Sequence, residues 1–177
     1  IMKNTLLKTI FLFVFVSMST TLSSQDYTFK NYDWESKTGA VDIPEKYKNE
    51  TEIILDRHIK VEINADGKDV AQFYLYHEKI YINSDDAIER NNRIYIPFSM
   101  NESVIETKAR VILKNGKVIK LDKKDIKEEV DEEKGLKLNY FALTGIEKGA
   151  IIEHLFVIRE VPELDGKTVK MQDEYPI

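Results

Sequence analysis

Imidazole acid–base chemistry in this chain would have to run through His58, His77 and His154, the only three histidines it has. His58 and His77 lie in two patterned segments, 51–64 and 68–82, on either side of Asp66-Gly67. If Asp66 and Gly67 form a two-residue turn, the hairpin register sets Asp56 opposite His77. Ile63 then meets Val70, and Ile59 meets Tyr74. An aspartate beside an imidazole is half of a nucleophilic triad. The other half is missing: there is no cysteine, and no serine stands on a nucleophile-elbow pattern. The pair therefore reads as an exposed cross-strand contact. His154 alternates with Ile152, Phe156 and Ile158, which places it among apolar side chains as a hydrogen-bonded core histidine. No two histidines have the spacing of metal ligands on one helix face. Asp131, Glu132 and Glu133 cluster oxygens of the kind calcium prefers, but they match no calcium-loop pattern. The residues thus predict no catalytic, cofactor-binding or metal-binding position.

Aromatic residues are the remaining candidates. Tyr27, Phe29, Tyr32 and Trp34, the single tryptophan, crowd an aperiodic stretch. Four aromatics there read as anchors of an N-terminal arm over residues 25–50. The alternative is a platform for a glycan or peptide, made of Tyr27, Tyr32, Trp34, Tyr74 or Tyr76.

The elements that must position these residues are strands. Residues 51–64 alternate, with Ile53, Leu55, Ile59, Val61 and Ile63 on one side, interrupted by Arg57. Such alternation predicts a strand with one buried face. Phe73 and Leu75 fall on the side of Lys60 and His58, so that side is expected to be partly covered, or a bulge near Gln72 shifts the register. Residues 84–90 are the expected helix, opened by Ser84 and two acids that suit its positive end. Pro44 can start a further helical turn.

The strongest turn signal is Asn115-Gly116 between two apolar runs. A two-residue turn there pairs Ile112 with Ile119 and Leu113 with Val118, covering both faces. It also sets Lys114 against Lys117, so a four-residue loop is the alternative. Residues 126–130, 138–143 and 150–160 read as further strands, 162–166 as a turn, and 168–177 as the start of a last strand. About nine strands with one or two short helices make an all-β, antiparallel β-sandwich over residues 51–177.

The chain has 177 residues and a formal charge of −5. Residues 1–24 carry Lys3 and Lys8, then the apolar run IFLFVFV, then small residues, which is the layout of a secretory signal peptide. The apolar run is shorter than the ~20 residues of a spanning helix. Without Lys3 and Lys8 the basic residues fall from 26 to 24 against 31 acids, a charge of −7. That surface argues against nucleic acid and anionic membrane as partners. Export without cysteine predicts a bacterial periplasm or envelope, with no disulfide and no lipid-modified cysteine. The finish at Tyr175-Pro176-Ile177, inside a strand pattern, predicts a domain truncated at its C-terminal end.

Three runs, IERNNRIYIPF (88–98), ARVILKNGKVIKLDKKDIKE (109–128) and YFALTGIEKGAIIEHLF (140–156), resemble the family known as domain of unknown function 3857. Lys114-Asn115 departs from it, since a proline and an acid are common in that hairpin. The resemblance implies an envelope β-domain of Gram-negative bacteria that precedes a transglutaminase-like domain with a Cys-His-Asp site. It carries no catalytic residue onto this chain. The resulting expectation is a non-catalytic exported module whose partner is a downstream transglutaminase-like domain of the same polypeptide. An independent glycan- or peptide-binding module is the alternative.

Overall fold

The computed structural model describes residues 27–34, 41–66, 69–165 and 168–170. The expected signal peptide and the last seven residues lie outside them.

The described residues contain ten strands, in chain order β1 (Glu52–Asp66), β2 (Asp69–Ile82), β3 (Arg93–Ser99), β4 (Glu102–Ile112), β5 (Val118–Lys120), β6 (Lys127–Asp131), β7 (Leu136–Ala142), β8 (Ile151–Glu160), β9 (Glu163–Asp165) and β10 (Thr168–Lys170). One helix, α1 (Asp85–Asn91), joins β2 to β3. Its start is set as expected: the Ser84 hydroxyl accepts the Ala87 N–H at 3.0 Å. Pro44 leads into a single 3-10 turn, Glu45–Tyr47. All pairings are antiparallel. Five strands make one sheet, in the order β1-β2-β8-β4-β5, and three make a second, β3-β7-β6. The strands β9 and β10 form a separate hairpin, where 162–166 had been expected to be a turn.

The main core lies between the two sheets. Tyr74, Tyr76 and Ile80 of β2 and Ile152, Phe156 and Ile158 of β8 face Ile96 and Phe98 of β3 and Phe141 of β7. A second core lies on the opposite face of the large sheet. There Phe29 and Trp34 of the arm cover Ala71, Phe73, Leu75, Leu155 and Val157. The central strands β2 and β8 are therefore sandwiched from both sides, and every residue from 71 to 80 and from 151 to 158 is buried. This explains why the sequence of β8 is nearly continuously apolar instead of alternating. Each large aliphatic or aromatic side chain so buried contributes roughly 1.5–3 kcal/mol.

Two expected registers shift. In the first hairpin Asp66 pairs with Asp69, so the two connecting residues are 67 and 68. Ile63 meets Gln72, Ile59 meets Tyr76, and His58, not Asp56, is opposite His77. The shift is two residues, so the faces are unchanged. The irregularities fall between Ile54 and Asp56 in β1 and between Val104 and Glu106 in β4, and not near Gln72. In the central hairpin Ile112 pairs with Val118 and Val111 with Ile119. Gly116 donates to the Leu113 carbonyl at 2.8 Å and adopts φ +84°, while Leu113 donates to the Lys117 carbonyl at 2.8 Å. This three-residue loop with a left-handed glycine takes Lys114 and Lys117 out of direct opposition. It is a one-residue shift, so it exchanges faces: Ile119 packs on the core and Val118 is exposed.

The strand β1 also departs from expectation. It is an edge strand, and its row of Ile59, Val61 and Ile63 stands out in solvent, because a three-stranded sheet does not cover all five strands of its partner.

Candidate functional site

The densest chemistry among the described residues lies under the arm. Antiparallel register lines up Arg110 of β4, Glu153 of β8, Lys79 of β2 and Asp56 of β1 in one row of alternating charge across four strands. Glu153 is fully buried, and its carboxylate serves three neighbours. Its Oε2 accepts from Arg110 Nε at 2.6 Å. Its Oε1 accepts from His77 Nε2 at 2.8 Å and lies 3.2 Å from Lys79 Nζ. Arg110 and His77 are themselves almost wholly buried. The arm closes the cluster. The Trp34 ring lies 5.0 Å from the Arg110 guanidinium, a cation–π contact made out of water. The Tyr32 hydroxyl sits 3.0 Å from His77 Nδ1. A carboxylate only accepts, so His77 Nε2 carries a proton and Nδ1 is left for Tyr32.

Burial pushes the Glu153 carboxyl up, but hydrogen bonds from His77 and Arg110 and the charges of Arg110 and Lys79 outweigh it. The net effect holds Glu153 below the ordinary carboxylate range. The Tyr32 phenol is pushed above its ordinary value, first by burial and then by the negative charges of Asp56 and Glu153. Carboxylate, imidazole and hydroxyl thus stand in the order used by nucleophilic catalysts. The electrostatics run the other way: a phenol with a raised pKa is a poor nucleophile near neutral pH, and Glu153 is committed to two permanent cations. The arrangement suits a buried charge lock that ties β2, β4, β8 and the arm together.

The other sequence candidates are dispersed. Asp56 pairs with His58 on its own strand at 3.0 Å, and the His58 ring stacks 6.0 Å from that of His77. His154 lies in the main core beside Tyr76. Among the described residues its Nδ1 has no hydrogen-bond partner, and burial pushes its pKa down to about 4, so it is a neutral core residue. The Asp131 carboxylate is taken by the Lys134 backbone N–H at 3.1 Å and the Lys134 ammonium at 3.2 Å. Among the described residues no three acids or histidines converge as metal ligands. The five platform aromatics are engaged in packing: Trp34, Tyr74 and Tyr76 are buried, and Tyr27 and Tyr32 are half-buried. Glu153, Arg110 and Lys79 were not singled out from the sequence. The available signal was a lone acid inside the apolar run of β8, which a strand buried on both faces must neutralise.

A second feature lies on the outer face of the small sheet. Tyr95 and Tyr140 are cross-strand partners with ring centroids 6.0 Å apart. The Arg93 guanidinium stands over both rings, at 6.0 and 5.7 Å, and donates to the Tyr95 hydroxyl at 3.2 Å. Lys127 is opposite Tyr140 on the other side. A cleft of about 510 Å³ opens there, lined by Arg93, Lys124, Lys127, Asp125, Tyr140 and Thr144 among others. It is an aromatic recess in which the cations Arg93, Lys124 and Lys127 stand beside the acids Asp125 and Glu129, the latter hydrogen-bonded by Tyr140.

No helix among the described residues is long and apolar enough to cross a membrane. No curated protein matches the chain. A crystal structure described as a "putative protease" from Parabacteroides distasonis ATCC 8503 is similar in fold, with a TM-score of 0.52 at 18% identity. The similarity covers 64% of this chain and 24% of that one, so the chain spans about a quarter of that protein's length. The family described as "Domain of Unknown Function with solved-structure structure (DUF3857)" matches residues 68–177, which run from the first hairpin through β10. That match takes in more than half of the chain and all strands but β1, and the chain belongs to the DUF3857 family.

Proposed function

We propose that this chain is a non-catalytic, exported β-sandwich module that serves as the front domain of a longer envelope protein. Its partner is a downstream transglutaminase-like domain in the same polypeptide. The observation that carries this reading is the closed state of the buried charge cluster. Glu153 neutralises Arg110 and Lys79 and holds His77, and His77 meets Tyr32 on its other side. This buried carboxylate–imidazole–hydroxyl chain is thereby used for cohesion. The similar solved protein is about four times as long as the part this chain matches, which is consistent with a module in a larger assembly. The test is turnover. The purified chain is expected to cleave or transfer no peptide, ester or amide substrate. Turnover that disappears in a His77→Asn variant would overturn the reading.

A second reading, an independent module for anionic glycans or acidic peptides, is favoured by the Arg93–Tyr95–Tyr140 recess alone. Guanidinium and ammonium groups beside an aromatic face suit a carboxylated ligand. Binding is followed by tyrosine chemical shifts. This reading expects a carboxylated glycan or peptide to shift Tyr95 and Tyr140, with the effect lost in Arg93→Ala. Unmoved signals would remove it.

A further inference from the structure

The edge strand β1 carries a surface that the other described residues leave uncovered. Ile59, Val61 and Ile63 are 46%, 52% and 53% exposed, three β-branched side chains in a row on a 15-residue strand. Among the described residues no strand pairs with the outer side of β1. A long, apolar, unpaired edge is a template for pairing with another strand, and soluble proteins usually blunt it with proline, a short strand or a charge in the apolar row. From Ile59 to Ile63 the apolar row has none of these. The charges lie on the opposite face, where Lys60 and Glu62 alternate with the aliphatic residues. Neither has an ion-pair partner in its own chain among the described residues. The Lys60 ammonium rests 5.4 Å from the Tyr32 ring, and Glu62 accepts the Thr28 backbone N–H at 2.8 Å.

We propose that β1 is a self-complementary edge through which two copies of this chain pair, antiparallel and centred on Val61. The choice of partner and of register follows from the residues. Around a two-fold axis at Val61, Val61 meets its own copy and Ile59 meets the partner's Ile63. Lys60 then meets the partner's Glu62, and the symmetry makes each of the last two pairs occur twice. Moving the axis by one residue opposes Lys60 or Glu62 to its own copy. Moving it to Ile59 sets Glu62 against the partner's Asp56. Only the Val61-centred register among these pairs aliphatic with aliphatic and cation with anion. It would support a ladder from His58 to Asn64. Beyond that Asp56 meets the partner's Asp66, which limits the ladder to seven residues. The product is a continuous ten-stranded sheet across two copies, with a small interface of the transient class.

The test is a charge-swap set on the full chain, read by sedimentation velocity over a concentration series. The wild type is expected to associate reversibly to a dimer. Lys60→Glu and Glu62→Lys each place like charges in both symmetric pairs, and each is expected to weaken self-association about tenfold or more. Lys60 is exposed, whereas Glu62 is half-buried and its carboxylate accepts from the Thr28 N–H and hydroxyl and from Asn64, so the folding of each variant is checked by circular dichroism; the double variant K60E/E62K, which keeps the composition, is expected to restore the dimer. An equimolar mixture of the two single variants re-creates opposite charges only between unlike chains, so it is expected to form a heterodimer that neither forms alone. A wild type that stays monomeric throughout the series would overturn the proposal. So would a dimer indifferent to both single substitutions, or a mixture with no heterodimer.

Discussion

Replacing Glu153 by glutamine keeps the size of the side chain and removes its charge. Arg110 and Lys79, at 4% and 9% exposure on the arm-side face of β4 and β2, would then lose the carboxylate charge that they share. Two of the three groups bonded to Glu153 carry a fixed charge, and the contacts of 2.6 and 3.2 Å are short enough for their field to be felt fully. Breaking a buried ion pair by removing one partner typically costs about 3–5 kcal/mol, because the remaining charge is stranded in a poorly polarisable site. Against a total stability of about 5–15 kcal/mol for a domain, that is a large fraction. For a chain of this size it lowers the melting temperature by roughly 10 °C. Urea denaturation followed by tryptophan fluorescence suits the question, since Trp34, the single tryptophan, lies on Arg110 itself. A companion triple variant, Lys79→Met, Arg110→Met and Glu153→Leu, is expected to recover part of the loss, since it strands no charge of the cluster but leaves the buried His77 Nε2–H without its acceptor. The pH dependence has a definite sign. Because the folded Glu153 pKa is depressed, its contribution is complete above the ordinary value of 4.5 and is lost as the pH falls through the lower folded value. Glu153→Gln is expected to lack that acid limb. A loss below about 1 kcal/mol in Glu153→Gln would refute the view that this cluster holds the sheet and arm together.

Three further outcomes follow from other places in the fold. Trp34→Ala opens the second core above Arg110 and is expected to cost about 3–5 kcal/mol, measured by calorimetry, with protease cleavage appearing in the arm. His154 has a folded pKa of about 4 against an ordinary 6.5, so the unfolded chain takes up a proton that the folded chain refuses. Stability should fall by roughly 3 kcal/mol as the pH drops from 6.5 to 4, and His154→Leu should flatten that slope in denaturant titrations at each pH. Gly145 adopts φ +76°, and a Cβ there would stand 2.6 Å from Ile119 Cδ1, so Gly145→Ala should cost about 1–3 kcal/mol in the same assay.

Local signals in the sequence carried a good part of the fold, and longer-range ones did not. Ser84 followed by two acids marked the start of α1, because a cap and its helix are neighbours in the chain. Asn115-Gly116 marked a hairpin, yet its register was one residue off: Gly116 alone took the left-handed position, and Lys114 and Lys117 avoided direct opposition. Alternation along β1 correctly separated two faces. It could not say which face would be covered, since that depends on how far a second sheet extends and on where the arm lies. The charge lock was hidden for a related reason. Arg110 and His77 reach Glu153 across 43 and 76 residues of sequence, a pairing decided by strand order. In the sequence, Glu153 is one acid in an apolar strand, and only burial on both faces turns it into a site.

The central claim, that this DUF3857 chain works as the front module of a longer envelope protein, is tested most directly by reading the coding sequence beyond Ile177. The account predicts an open frame that continues into a segment bearing the cysteine, histidine and aspartate of a transglutaminase-like domain. A stop codon immediately after Ile177 would contradict it.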